Sequence, residues 1–218
     1  MKVKKYSLLF PICMLLIFTL AASAQATTIT GSITGGSGLF GTDGWSTATF
    51  GWSVTDPAQS SSTHWEYDYT FTVPEKNISH IIIQVSDDFE VSDMLGGTTP
   101  GGILDIYSST SQGASNPGLP EEINGIKWNV TGGTTFSVTI ITDRDPMDGN
   151  FYSKDGKTDE GTIDVYAYSG NANGFLSNVP VPDTGGGGPS GNVPEPATML
   201  LLGSGLLGLA GLRKKFKK

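Results

Sequence analysis

Asp143, Asp145, Asp148 and Asn150 place four oxygen-bearing side chains within one short stretch, and Gly149 lets the chain turn beside them. A hard cation such as calcium takes this kind of ligand set from a loop. The order follows, with interruptions, a D-x-D-x-D-G calcium loop. One extra residue and Pro146 intervene, and Lys154 stands where the bidentate glutamate belongs. Asp155, Asp159 and Glu160 follow closely enough to return to the same ion. The competing reading is a solvated acidic loop between turn residues. Ser86-Asp87-Asp88-Phe89-Glu90 is a second stretch of the same kind.

Catalytic groups are sparse. Cys13 is the only cysteine, and it lies in the N-terminal apolar segment, so the chain beyond it has neither a thiol nucleophile nor a disulfide. His64 sits on the polar side of an alternating run, and His80 has no ligand partner at useful spacing. Zinc takes three or four His, Cys or carboxylate ligands, which two isolated histidines do not supply. No nucleophile elbow, phosphate loop or zinc-helix motif occurs. Two carboxylates suffice for a glycosidase, so acid content alone leaves that chemistry open. The expectation is a protein without catalysis. Trp45, Trp52 and Trp128 offer flat faces for a sugar ring, although core packing is the usual fate of tryptophan in a β-protein.

The elements that must position these groups read as strands. From His64 to Val73, Trp65, Tyr67, Tyr69, Phe71 and Val73 alternate strictly with His64, Glu66, Asp68, Thr70 and Thr72. Period two means one aromatic face inward and one polar face in water. Phe136, Val138 and Ile140 repeat the pattern. Residues 48–54, 78–85, 103–107, 125–130, 134–142 and 162–168 are β-branched or aromatic runs separated by Gly, Pro, Asn and Asp clusters. The fold expected over 27–178 is therefore all-β: seven to nine strands in an antiparallel sandwich or jelly roll. Residues 179–192, with Gly185-Gly186-Gly187-Gly188, read as a Pro/Gly-rich linker.

The two ends differ from this middle. Lys2, Lys4 and Lys5 precede an apolar run to Leu20 and small residues at Ala22, Ala24 and Ala26, which together make residues 1–26 a signal-peptide helix. Cys13 follows Ile12 and so is not a lipid-attachment cysteine. Between the ends, residues 25–194 carry only Lys76, Lys127, Arg144, Lys154 and Lys157, against every acidic residue but Glu195. Five basic groups against 20 acidic ones give this stretch a net −15. Such a surface repels nucleic acid and other polyanions.

After the linker come Val193, Pro194, Glu195, Pro196 and Ala197, an uncharged Leu-rich segment through Leu212, and the cluster Arg213, Lys214, Lys215, Phe216, Lys217, Lys218. As a helix, residues 197–212 would span about 24 Å, slightly short of a hydrocarbon core that snorkelling Lys and Arg can complete. The basic cluster would remain cytoplasmic and stop transfer. This order of Pro-Glu-Pro, apolar helix and terminal basic cluster closely resembles the PEP-CTERM sorting signal of Gram-negative bacteria. The resemblance implies recognition of Pro-Glu-Pro by exosortase and removal of the helix. The inner membrane would hold the precursor only transiently, before delivery to the outer surface or extracellular matrix. It also implies the company of exopolysaccharide.

Three stretches of the middle resemble PEP-CTERM proteins more loosely: Asn116-Pro117-Gly118-Leu119-Pro120, Gly125-Ile126-Lys127-Trp128 and Phe151-Tyr152-Ser153-Lys154-Asp155-Gly156. That resemblance brings no activity. The readings rank as a surface or matrix structural protein first, a polysaccharide-binding module second and a carboxylate-based glycan-active enzyme third. One outcome follows directly from the N-terminal pattern. Signal peptidase should leave a new terminus after Ala24 or Ala26, and N-terminal sequencing of surface material that still begins at Met1 would refute the cleavage.

Overall fold

A computed structural model describes residues 28–97, 101–110, 116–155 and 165–183. Along them run thirteen strands: β1 (Thr28–Gly35), β2 (Gly38–Gly41), β3 (Thr49–Thr55), β4 (Trp65–Thr72), β5 (Ile78–Gln84), β6 (Ile103–Tyr107), β7 (Ile123–Asn129), β8 (Thr135–Thr142), β9 (Pro146–Gly149), β10 (Phe151–Asp155), β11 (Tyr166–Asn171), β12 (Gly174–Phe175) and β13 (Val179–Pro182). None of the described residues forms an α-helix, and none belongs to a helix long and apolar enough to cross a membrane. The expected signal helix and the expected transmembrane helix at 197–212 both lie outside the described residues.

Alternation sets the faces. In β4, Tyr67, Tyr69 and Phe71 are buried, whereas Thr70 and Thr72 face water. β5 behaves differently because Ile81, Ile82 and Ile83 are consecutive and all buried. Ile81 and Ile83 join the main core, while Ile82 joins a second cluster with Tyr107, Leu119, Ile123, Tyr152 and Tyr168 on the opposite face. An unbroken apolar run is the mark of a strand covered on both sides.

The strand order in the large sheet is β6-β7-β5-β10-β11-β2-β1-β3-β4-β8, with β12 paired to β11 and β13–β9 forming a separate ribbon. The sheet is mixed, which corrects the purely antiparallel expectation: β1 and β2 pair in parallel. Gly36 and Gly38, at φ +79° and +78°, let the chain turn this tight corner, so that β1 goes on to pair with β3 and β2 with β11. Phe50 of β3 then stacks on Phe151 of β10 with ring centroids 4.0 Å apart. Strands β11, β2 and β1 separate those two strands in the sheet, so the contact means the sheet folds over on itself. Its halves, β1-β3-β4-β8 and β2-β11-β10-β5-β7-β6, face each other across one core.

The fold also extends past the expected boundary at residue 178. Val179 and Val181 of β13 are fully buried, Pro180 O accepts a 2.8 Å bond from Tyr69 Oη, and β13 pairs with β9 from Val179↔Gly149 to Pro182↔Pro146. Prolines made this segment read as linker, but Pro is tolerated in a strand whose N–H groups are not all needed. Asp183 N donates to Asp145 O just beyond β8, and Asp145 Oδ1 accepts from Trp65 at the start of β4. The first residue of β1, Thr28, lies opposite Thr55, which lies opposite Glu66 beside Trp65. Thr28 and Asp183 therefore leave the fold at the same pole.

Two buried valines at about 1.5–3 kcal/mol each are a large share of a stability of about 5–15 kcal/mol. A chain ended after Ser177 should lose its cooperative melting transition, whereas one ended after Asp183 should melt like the longer protein. Circular dichroism melts of the two truncations test this.

Candidate functional site

The stretch 143–155 is not one loop. β9 and β10 run through it, and its acids have separate partners. Asp143 Oδ1 meets His64 Nδ1. Asp145 Oδ1 accepts from Trp65 Nε1 at 2.7 Å. Between them Arg144 turns back against Asp93 at 2.6 Å and Asp88 at 3.4 Å, with its guanidinium 5.9 Å from the Phe89 ring. The Arg144 hydrogen bond holds the Asp93 carboxyl below the usual carboxylate range. Asp148 is exposed on β9, opposite Pro180.

Asn150 is buried. Its Nδ2 donates to Gln84 Oε1 at 2.8 Å, and its Oδ1 accepts from Ser177 N at 3.0 Å. Asp155 is buried too; Oδ1 accepts from Val165 N, and Lys76 Nζ lies 3.9 Å from Oδ2. Among the described residues no three His, Cys, Asp or Glu side chains converge to hold a metal. The described members of the expected calcium set thus engage separate partners, and of them only Asp148 and Asp155 lie on strands. Asp159 and Glu160 lie outside the described residues.

The tryptophans do not form a platform. Trp45 is fully buried, with its ring edge against Phe71 at 5.4 Å and Nε1 donating to Glu75 O at 2.9 Å. Trp128 is buried as well, flanking a small cavity of about 250 Å³ with Met94, Gly102 and Ile140. Trp52 is half-buried, its indole lying over Gly31, where a Cβ would meet the ring. Core packing takes Trp45 and Trp128 away from the surface, whereas Trp52 keeps part of its ring exposed.

What the sequence did not disclose lies on the outer face of the other half-sheet. His80 on β5 stands opposite Lys154 on β10, and Lys127 on β7 stands opposite the next outward residue, Ile82. The segment from Asn116 covers them: Tyr152 Oη donates to Pro117 O at 2.8 Å, Asn116 Nδ2 donates to Ser108 O at 3.1 Å, and the Tyr166 ring fills the space a Cβ on Gly118 would take. His80 is 3% exposed, Asn116 0%, and both lysines are buried. The Lys127 ammonium sits 5.5 Å from the Tyr107 ring centroid, a cation–π arrangement. Burial first, and then Lys127 and Lys154, push the His80 pKa down to about 3. Burial, reinforced by Lys154, also lowers Lys127. The three stretches singled out in the middle of the chain therefore meet on one face. Each pairs a small or turn residue with a large one, which is a packing signature.

The Pro-Glu-Pro segment begins eleven positions after the last described residue, Asp183. Residues 192–215 match the model of the PEP-CTERM protein-sorting motif. The tail is a PEP-CTERM sorting signal. It marks an exported protein that exosortase processes at the membrane. No curated protein and no solved structure matches the chain.

His80 gives the fold an acid limit. The folded chain keeps it neutral down to about pH 3, whereas the unfolded chain titrates it near 6.5. Its contribution is whole above pH 6.5 and is lost as pH falls toward 3. Between pH 7 and pH 5 the loss should be about 2 kcal/mol. His80→Gln should remove that part of the acid sensitivity, seen as a flatter melting temperature over this range.

Proposed function

We propose that this chain is a structural or interaction protein of the cell surface or extracellular matrix, cut by exosortase at Pro194-Glu195-Pro196. The carrying observation is the sorting motif at 192–215, which begins nine positions after Asp183, the last described residue. Pro194 and Pro196 bias the chain around Glu195 toward the extended form that proteases bind. Signal peptidase acts on the other end of the precursor, and the inner membrane holds it only until the cut.

The boundary at Asp183 sharpens the geometry. Ten Cα steps separate Asp183 from Val193, so the covalent reach is at most about 36 Å. The larger reach implied by a linker beginning at residue 179 is not available, because Val179–Pro182 belongs to β13. The domain therefore works close to the surface until the cut frees it. The acidic middle of the chain favours this reading over one that engages nucleic acid or polyanions, since five basic groups stand against 20 acidic ones.

Replacing Pro194-Glu195-Pro196 by three alanines should leave the tail inserted and uncut. Mass spectrometry of surface-released protein should find Leu200–Lys218 absent from the native form, and the variant should stay in the inner membrane at full tail mass. Native surface material that still carries Leu200–Lys218 in an exosortase-positive host would sink the proposal.

A further inference from the structure

The outer face of β1-β3-β4-β8 is a grid of hydroxyl groups set by strand register. Thr34, Thr49, Thr72 and Thr135 form one row across the four strands. Ser32, Gly51, Thr70 and Ser137 form the next, and Thr30, Ser53, Asp68 and Thr139 the third. Only the fourth row, Thr28, Thr55, Glu66 and Ile141, ends in an apolar residue. None of these sixteen positions is buried. Rows are about 6.8 Å apart along the strands and columns about 4.8 Å apart across them.

Neighbouring hydroxyls already bond to one another. Thr70 Oγ1 and Ser137 Oγ are 2.9 Å apart, and Thr72 Oγ1 and Thr135 Oγ1 are 3.3 Å apart. Thr carries a stiff χ1, so ordering such a surface against a partner costs little rotamer freedom. The charge is equally distinctive. The grid has no cation, and its two carboxylates are engaged: Asp68 Oδ1 accepts from Thr139 at 2.6 Å and Glu66 Oε2 from Ser60 at 3.0 Å. A polyanion finds no counter-charge here and is repelled by the rest of the domain. A polycation would settle on exposed carboxylates elsewhere, such as Asp87 and Asp148.

The geometry points to this hydroxyl face as the contact surface for a neutral, extended polysaccharide, whose hydroxyls both donate and accept as the grid does. Rows that repeat along the strands suit an extended glycan chain more than a coiled one. The inference deepens the interaction role proposed above and rests on it only for placing the domain outside the cell. Its chemistry is independent of how the tail is processed, and it moves glycan contact from the tryptophans to the threonines.

The test is co-sedimentation of the full chain, purified in a detergent without a sugar headgroup, with insoluble cellulose as the neutral ribbon polymer and with alginate gel as the anionic one. Cellulose should retain the protein and alginate should not. The triple variant Thr70→Val, Thr72→Val, Thr135→Val keeps shape and β-propensity while removing three hydroxyls, and should bind cellulose about tenfold more weakly or worse. Thr131→Val, in the turn between β7 and β8, should bind as the native chain does. Matched melting curves establish that the triple variant is folded; if it is not, Thr70→Val alone takes its place, with a smaller loss expected. Absence of cellulose binding, equal retention on alginate, or a folded grid variant that binds like the native chain would each overturn the proposal. Because sorting is read separately from tail mass, failure here leaves the exosortase reading standing.

Discussion

Phe50 lying against Phe151 is the contact on which the rest of the domain depends. With no cysteine beyond Cys13, nothing covalent can close a sheet of this width. Closure comes from apolar faces meeting across the fold, and this ring pair joins the two half-sheets at 4.0 Å. Phe71 joins from β4, and Trp45 lies edge-on to it. The core also ties down its periphery. Tyr67 Oη and Tyr69 Oη donate to the carbonyls of Arg144 and Pro180, and burial raises both phenol pKa values, so the donors keep their protons. The acidic pole and the last strand are thus pinned by hydroxyls that reach out of an aromatic core.

The sequence disclosed what period two can disclose. β4 was readable because five aromatic or branched residues alternate with polar ones, and β8 for the same reason. β1 escaped because Thr, Ser and Gly show no contrast between faces when one face is a hydroxyl grid and the other is interrupted by Gly31 and Gly35; β2, Gly38-Leu39-Phe40-Gly41, is too short for a period to show. β9 and β10 escaped because Asp148, Gly149 and Asn150 are turn residues by composition; Asp148 and Gly149 are nevertheless strand, and Val181 of the paired β13 packs where a Gly149 side chain would stand. The PEP-CTERM motif was legible, since it is defined by order along the chain and needs no folding to be recognised.

The candidate sites were less legible, for a physical reason. Ligand geometry depends on which strand ends meet, and spacing along one segment does not reveal that. Asp143, Asp145 and Asp155 are close in sequence, yet they serve a histidine, an indole and a backbone amide. His80, Lys127 and Lys154 are far apart in sequence and come together through β5, β7 and β10. Nothing local to any of the three announces its burial. Register decided both outcomes.

The exit through β13 has a mechanical consequence. A pull on the chain at Asp183 draws β13 lengthwise out of the fold, so its pairs with β9 are loaded together in shear and are not peeled off one after another. Two of the four paired residues, Pro180 and Pro182, have no N–H to contribute, which leaves the ladder thin. The resistance to extraction therefore resides mainly in Val179 and Val181 and in the Tyr69 hydroxyl holding Pro180. Under tension the domain behaves as a plug held by its fit, and its yield force is set by two valine side chains sliding past the aromatic core.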